Sequence, residues 1–273
     1  MAPKQKRGGF RVKMETLGQT LDCGQSFRWA RTADGAWEGV ARGRFLRITE
    51  ENLPGVLRDA FWAEYFDMRL DYGAVRAKLC AGNPALAEAA RYAPDIRILN
   101  QDPWEALCSF VLSQCNNIGR IKGLVARLCR ACGEPVDDAH RAFPTPEALA
   151  QAGESGLRAL GCGFRAHYLA EIARRAENGE IDWQLLRRLP LGEARAKLAG
   201  LPGFGPKVAD FTLLYGLHRL DAFPMDVWMK RAMKTLFPGK EPSDFGPYAG
   251  VAQQYLFHYS RNHPDLFRVR KAG

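Results

Sequence analysis

Residues 201–210 read LPGFGPKVAD, and this stretch decides the fold of the chain. Gly203 and Gly205 tolerate positive φ angles and leave backbone N–H groups unshielded. Pro206 suits the first position of a helix, where its missing N–H costs nothing. Apolar residues recur at helical spacing within 191–199 and again from Val208 onward. The stretch therefore predicts two helices joined by a tight glycine hairpin.

The hairpin has the features of a phosphate-binding turn. Exposed N–H groups at a helix N-terminus form an anion site. Gly203 and Gly205 alone could simply end one helix and start the next, because a short glycine pattern has low specificity. The flanking Leu-Pro and Lys-Val-Ala-Asp favour the interpretation that these glycines contact the DNA backbone.

Lys207 follows the hairpin directly, and two interpretations of it stay open. A lysine at such a turn can pair with phosphate. It can also be a nucleophile if an apolar pocket lowers its pKa and frees the lone pair, as Phe204, Phe211 and Trp228 could do.

Asp226 stands in FPMDVWMKR at the start of the next apolar-periodic segment. The position predicts a helix N-cap. A capping aspartate has a fixed orientation, which also suits a catalytic carboxylate, so the two interpretations are compatible.

With these motifs the chain resembles the helix-hairpin-helix (HhH-GPD) DNA glycosylases, and most closely their 8-oxoguanine DNA glycosylase/AP lyase branch. The resemblance runs from about Gly18 to Ser260. It implies an α+β fold in which an N-terminal antiparallel β-sheet domain precedes a mostly helical catalytic body. It also implies that Lys207 and Asp226 are the catalytic pair.

Two further segments resemble the base-recognition motifs of that family. In LDCGQSFRW (21–29), the resemblance implies that the Gly24 carbonyl accepts a hydrogen bond from the oxidised base. Oxidised guanine carries a proton on N7, where guanine has a lone pair. In 246–257, Gln253 and Phe257 share a helix face. The resemblance implies that Phe257 stacks on the flipped base and Gln253 reads its Watson–Crick edge. A core Phe and a surface Gln is the alternative.

The segment SQCNNIGR (113–120) resembles the family loop that enters the duplex and faces the unpaired cytosine. Asn and Arg side chains can hydrogen-bond base edges, which implies DNA contacts by Asn116, Asn117 and Arg120. Cys115 stands at a DNA-contact position where the family usually has the first of three asparagines. The alternative is a polar loop in which Asn117 caps a helix.

Residues 161–168 resemble a second family segment that enters the duplex as a wedge. Phe164 replaces the usual tyrosine and can still kink DNA, and Arg165 would contact the backbone or the orphan base. The alternative for Phe164 is a core aromatic. Two further departures make the site more apolar: Phe211, a substrate-contact position, replaces a cysteine, and Trp228, a DNA-contact position, replaces a histidine.

Composition agrees with a polyanionic partner. The chain has 273 residues, 47% of them hydrophobic, with a net charge of +9 and a pI near 9.3. This is enough for a sizeable core in one domain or two, and the charge fits DNA, although a membrane surface would fit it as well. Residues 1–13 form a basic arm that we expect to be flexible.

The seven cysteines show no framework of regular spacing and indicate a reducing, intracellular compartment that holds the DNA. Cys129 and Cys132 form a lone C-x-x-C that we interpret as a helix face. No cysteine follows Cys162, so we expect no iron–sulfur cluster and no other cofactor or metal; a structural cation at the hairpin carbonyls stays open. No apolar run is long enough for a transmembrane helix, and the N-terminus lacks an apolar signal core.

Alternating residues predict antiparallel strands over 27–31, 36–41 and 45–49, with turns at Asp34-Gly35 and Arg42-Gly43. Cap-then-proline pairs predict helix starts at Pro84, Pro103 and Pro146. We expect a sheet domain with helices over 14–97 and a helical HhH-GPD domain over 98–273, with its hairpin at 201–206.

The sequence thus predicts a monomeric enzyme that excises 8-oxoguanine opposite cytosine from duplex DNA and nicks the strand through a lysine Schiff base. A monofunctional glycosylase for other damaged purines is one alternative, against which Lys207 argues. A non-catalytic DNA-binding module is the other, against which Asp226 argues.

Overall fold

A computed structural model describes residues 12–267 of the chain. The predicted basic arm, residues 1–13, lies outside the described residues except for Val12 and Lys13.

The N-terminal strands form a three-stranded antiparallel sheet of order β1-β2-β3. Its strands are β1 Trp29–Arg31, β2 Trp37–Ala41 and β3 Arg44–Ile48. Gly35 (φ 86°) and the Arg42-Gly43 pair (φ 49° and 74°) have the left-handed conformation that tight hairpin turns require. The predicted strands and turns are confirmed.

Fourteen α-helices account for most of the residues that the structure describes. They are α1 Met14–Leu21, α2 Leu53–Val56, α3 Ala60–Tyr65, α4 Tyr72–Cys80, α5 Pro84–Tyr92, α6 Pro103–Leu112, α7 Ile118–Cys132, α8 Pro146–Ala159, α9 Arg165–Glu177, α10 Trp183–Arg188, α11 Leu191–Ala199, α12 Pro206–Phe211, α13 Val227–Leu236 and α14 Ala249–Asn262. The predicted starts at Pro84, Pro103 and Pro146 are confirmed. Short 3-10 segments cover Pro242–Tyr248 and Pro264–Phe267.

Two apolar cores organise the molecule. The smaller core joins the sheet to α1 and α3 through residues such as Trp29, Trp37 and Trp62. The larger core is made by the helical body, and it includes Tyr72 of α4 and Leu86 of α5. Helices α4 and α5 thus pack with the body, although they precede residue 97, where we predict the domain boundary.

The segment between α1 and β1 is tied to the start of the helical body by Gln25. Its buried amide donates to the Arg97 carbonyl (2.7 Å) and accepts from the Leu99 N–H (2.9 Å). In the same way, the Gln254 amide of α14 donates to the Cys23 carbonyl (3.2 Å). Because Gly24 lies between these two anchors, its backbone is held in one place.

Candidate active site

The glycine hairpin joins α11 to α12 as predicted. Phe204 N–H donates to the Leu201 carbonyl (3.0 Å), which closes the turn. Gly203 has φ 75°, and a Cβ placed on it would lie 2.4 Å from the ring of Tyr168. Gly205 has an extended backbone at the N-cap of α12, with nothing within 4 Å of an added Cβ. Gly203 is therefore required by the fold, whereas Gly205 leaves an open surface beside the helix start.

Lys207 is the second residue of α12, and Asp226 caps α13. The Asp226 carboxylate accepts from Met229 N–H at 2.8 Å, so the predicted N-cap is confirmed. Both side chains line one cavity of about 420 Å³, a size typical of small-molecule sites. The fold thus brings the amine and the carboxylate of two separate motifs to the same cavity.

The cavity wall near Lys207 is aromatic. The rings of Phe110 and Phe211 stack with centroids 4.4 Å apart and an angle of 7°. Lys207 Nζ lies 5.8 Å from the Phe211 centroid, and Trp228 lines the same cavity. Within residues 12–267, Nζ forms neither a hydrogen bond nor an ion pair. The amine therefore has no competing partner in the cavity.

Opposing effects act on the pKa of the Asp226 carboxyl. Burial raises the pKa of its carboxyl above the ordinary value. The N–H groups of Met229 and Trp228 and the charge of Lys207 act in the opposite direction. A carboxylate whose pKa is raised in this way is a better proton acceptor than one in water.

Gly24 and Phe257 lie next to each other in the lining of the cavity. Gly24 has φ 89°, and a Cβ there would lie 2.8 Å from Ile118 Cδ1 and 3.2 Å from Phe257 Cε1. A side chain at this position would clash with both neighbours. Glycine therefore keeps the backbone accessible at the wall where the resemblance implies base recognition.

Gln253 is fully buried, so the alternative of a surface glutamine is wrong. Its amide donates to the Pro224 carbonyl (3.3 Å), two residues before Asp226, and Gln253 is not part of the cavity lining. In this structure it supports the segment that carries Asp226. Its role in reading the Watson–Crick edge stays a prediction.

The loop before α7 forms the rim of the cavity. Asn117 caps α7 by accepting from Arg120 N–H at 3.0 Å, as predicted. Asn116 and Asn117 both line the cavity. Cys115 is exposed and has φ 49°, an uncommon conformation for a residue with a side chain. Arg120 is exposed as well. The DNA contacts of these residues stay predictions.

Arg165, from the segment 161–168 that is predicted to enter the duplex, contacts the loop before α7. Arg165 is only 7% exposed, and its guanidinium donates to the Gln114 carbonyl (2.7 Å from Nε) and the Cys115 carbonyl (3.1 Å). Phe164 is 48% exposed, so the core-aromatic alternative is wrong. Arg165 thus braces the rim loop, and a direct contact with DNA stays a prediction for it.

Three residues of the site were not anticipated from the sequence. Phe110 stacks on Phe211, the Gln114 amide donates to the Gly203 carbonyl (3.1 Å), and Arg261 lines the cavity. Arg261 follows Phe257 by four residues, so helical periodicity could have identified it. The other two depend on contacts between distant segments, for which one sequence carries no signal.

All seven cysteines are free thiols, and Cys129 and Cys132 belong to α7. Among residues 12–267, no group of three or more potential metal ligands comes together. In the same range, no helix is both long enough and apolar enough to span a membrane.

Comparison with known proteins agrees with this architecture. Residues 10–107 match the model of the 8-oxoguanine DNA glycosylase N-terminal domain. Residues 108–244 match that of the HhH-GPD superfamily base excision DNA repair proteins. The chain is 29% identical to N-glycosylase/DNA lyase OGG1 of Arabidopsis thaliana, over 89% of this chain and 76% of that protein.

Two solved structures are similar over nearly the whole chain. One is MBOgg1 in complex with a low-affinity DNA ligand, with TM-score 0.83, 36% identity, and coverage of 94% of this chain and 93% of that one. The other is Clostridium acetobutylicum 8-oxoguanine glycosylase/lyase with DNA containing cytosine opposite 8-oxoG. Its TM-score is 0.82 at 32% identity, with coverage of 93% and 94%.

The hairpin, the capping aspartate and the cavity between them define a base excision DNA repair protein of the HhH-GPD superfamily. Within that superfamily, the chain belongs to the 8-oxoguanine DNA glycosylase family.

Proposed function

We propose that this protein is a bifunctional DNA glycosylase and AP lyase that removes 8-oxoguanine from duplex DNA. One observation carries the proposal: the Lys207 amine, which has no hydrogen-bond or ion-pair partner among residues 12–267, and the Asp226 carboxylate, whose pKa is raised, line one cavity. Gly24 and Phe257, which line the same cavity, recognise the lesion.

The chemistry follows from this pair. The neutral Lys207 amine attacks C1′ of the extruded nucleotide, and the electron pair of the C1′–N9 bond leaves with the base. Asp226 stabilises the positive charge that develops on the sugar and the new ammonium, and it accepts a proton. The C1′–O4′ bond then breaks as O4′ takes the proton back from Asp226, which opens the sugar ring and gives an imine between Nζ and C1′. Loss of a C2′ proton expels the 3′ phosphate and nicks the strand, so no redox cofactor is needed.

The aromatic wall serves this chemistry. Phe110, Phe211 and Trp228 line the cavity beside the amine with aromatic surface, against which the extruded sugar and base can pack. The hairpin glycines hold the DNA backbone, and the exposed Phe164 ring enters the duplex. Cys115, Asn116, Asn117 and Arg120 face the base opposite the lesion.

We propose duplex DNA with 8-oxoguanine opposite cytosine as the substrate, and a monomer acting in the compartment that holds the DNA as the working form. The net charge of +9 supports binding to the phosphate backbone.

Borohydride trapping tests the proposal. The wild-type protein, Lys207→Gln and the control Lys234→Gln are incubated with a duplex that holds 8-oxoguanine opposite cytosine. Lys234 is exposed in the last turn of α13, so its variant removes a charge without touching the cavity. We expect a trapped covalent complex for the wild type and the control, and none for Lys207→Gln.

The other outcomes separate the alternatives. Base release without a trapped complex would mean a monofunctional glycosylase. DNA binding with neither release nor trapping would mean a binding module or another lesion. Trapping by Lys207→Gln at the wild-type level would exclude Lys207 as the Schiff-base residue.

A further inference from the structure

Arg261 is a cavity residue that the chemistry above does not use. It lies on α14 one turn after Phe257, so the two side chains share a helix face. Both line the cavity that holds Lys207 and Asp226. The cation therefore lies beside the ring to which the proposed function assigns stacking on the base.

The Arg261 guanidinium has an unused donor. Its Nη1 is buried and has no hydrogen-bond partner among residues 12–267, and no carboxylate in that range forms an ion pair with it. A buried donor without an acceptor is destabilising, so a ligand that brings an acceptor to it binds more tightly.

His258, three residues before Arg261, is not a charged partner for this guanidinium. Burial, together with the positive charge of Arg261, lowers the pKa of His258 to about 4, although Asp22 acts in the opposite direction. His258 is therefore neutral at physiological pH, and its buried Nδ1 also lacks a hydrogen-bond partner in the part of the chain that the structure describes. Arg261 is the fixed charge on this part of the wall.

Arg261 Nη1 lies beside Gly24. A Cβ built on Gly24 would be 3.6 Å from Nη1 and 3.2 Å from Phe257 Cε1. The wall therefore places a backbone segment and a guanidinium N–H next to each other, on the side of the cavity where Phe257 can stack on a base.

The Gly24 backbone and the Arg261 guanidinium together match the edge of the base that oxidation changes, at N7 and C8. 8-Oxoguanine presents N7–H, a donor, next to C8=O, an acceptor. Undamaged guanine presents a lone pair on N7 and a C8–H bond. An acceptor from the Gly24 backbone and a donor from Arg261 are complementary to the first pattern and mismatched with the second.

We propose that Arg261 is a specificity-determining residue that donates a hydrogen bond from Nη1 to O8 of the extruded 8-oxoguanine. The inference rests on the proposed function and extends it, because it adds a second contact to the oxidised edge. Since the donor is charged and the C8–H of guanine offers no acceptor, this contact favours the lesion over guanine.

Binding measurements in the Lys207→Gln background test the proposal without turnover. Fluorescence anisotropy gives Kd for three duplexes that hold 8-oxoguanine, guanine or the abasic analogue tetrahydrofuran opposite cytosine. Each duplex is measured with Arg261→Leu, Arg261→Lys and the control Arg58→Leu added to the background. Arg58 is exposed in the N-terminal domain, where its guanidinium donates to the Pro54 carbonyl, so its variant removes the same charge far from the cavity.

We expect Arg261→Leu to weaken binding of the 8-oxoguanine duplex about tenfold. The guanine and abasic duplexes should be bound as before, which also shows that the variant is folded. Arg261→Lys should recover part of the loss, because lysine keeps a donor but not the guanidinium geometry. Arg58→Leu should preserve the preference for 8-oxoguanine over guanine.

Each contrary result has one meaning. An equal loss on all three duplexes would make Arg261 a phosphate contact. An equal loss on the 8-oxoguanine and guanine duplexes would place its contact on O6, which the two bases share. An unchanged preference in Arg261→Leu would remove it from recognition altogether. If the Lys207→Gln background itself shows no preference for 8-oxoguanine over guanine, then the proposed function fails, whatever Arg261 does.

Discussion

At the scale of single residues, Asp226 combines a structural and a chemical role. Its carboxylate caps α13 through Met229 N–H while it faces Lys207 across the cavity. The cap fixes the carboxylate in place, and burial raises its pKa. A substitution of Asp226 that still caps α13 but carries no charge therefore separates the structural role from the chemical one.

We predict that Asp226→Asn loses excision activity but not stability. Asparagine caps helices as well as aspartate does, so the free energy of unfolding should change by less than about 1 kcal/mol. Single-turnover excision of 8-oxoguanine should fall by about 100-fold or more, because the amide neither accepts a proton nor balances the developing charge. Asp226→Ala should lose the activity and, in addition, about 1 kcal/mol of stability. Wild-type excision rates in Asp226→Asn would exclude a catalytic role.

At the scale of elements, the hairpin depends on two glycines for different reasons. Gly203 is in contact with the Tyr168 ring and has a positive φ, whereas Gly205 is in an open, extended position. The sequence presents them as equivalent members of one motif, and only the packing of α9 against the hairpin distinguishes them.

Alanine substitutions should therefore separate folding from DNA binding. Gly203→Ala should lower the free energy of unfolding by about 1–3 kcal/mol from backbone strain alone, with the Tyr168 clash in addition. Gly205→Ala should stay within about 0.5 kcal/mol of wild type and still weaken binding of duplex DNA, since its methyl group would cover the N–H groups that hold phosphate. Urea unfolding and anisotropy measure the two effects. Normal DNA affinity in Gly205→Ala would contradict phosphate binding by the hairpin.

The rim loop offers a second test at this scale, because Arg165 either braces it or contacts phosphate. The hydrogen bonds to the Gln114 and Cys115 carbonyls favour bracing. We predict that Arg165→Met weakens DNA binding without changing the slope of log Kd against log salt concentration. Loss of a phosphate contact would instead reduce that slope by about 1. Arg120→Met, in which an exposed arginine of the same rim is removed, supplies the comparison.

At the scale of the whole molecule, local signals predicted the elements and a family resemblance predicted their assembly. Proline and cap residues located α5, α6 and α8, and alternation located the three strands. The packing of α4 and α5 with the helical body, and the burial of Gln253, arise from contacts between distant segments. Local periodicity carries no information on such contacts. The cavity was predictable where the motifs contribute to it and, by helical periodicity from Phe257, at Arg261, but not at Phe110.

A buried contact between Arg28 and Glu105 connects the two parts of the molecule. Arg28, just before β1, lies 3.7 Å from Glu105 of α6, and it also donates to the Arg141 carbonyl (2.6 Å). Burial raises the pKa of Glu105 to about 7, an effect to which Asp102 adds and which Arg28 opposes. The 3.7 Å separation is too long for a hydrogen bond, so burial outweighs the attraction.

This pair predicts a pH dependence of stability. The folded protein keeps Glu105 protonated up to about pH 7, whereas an unfolded glutamate ionises near 4.5. The stabilisation is therefore complete below about pH 4.5 and is lost as the pH rises to about 7, with a slope of at most about 1.4 kcal/mol per pH unit.

His258 acts in the opposite direction, because its pKa is lowered to about 4 and its contribution to stability rises with pH over part of the same range. The wild-type curve alone is thus ambiguous. Urea unfolding of wild type and Glu105→Gln from pH 5 to 8 resolves this, because the difference between the two curves removes His258. That difference should fall from pH 5 to about 7 and then level off. A flat difference for Glu105→Gln would mean that Arg28 keeps Glu105 ionised throughout and that the sheet and the helical body are joined by a charged pair.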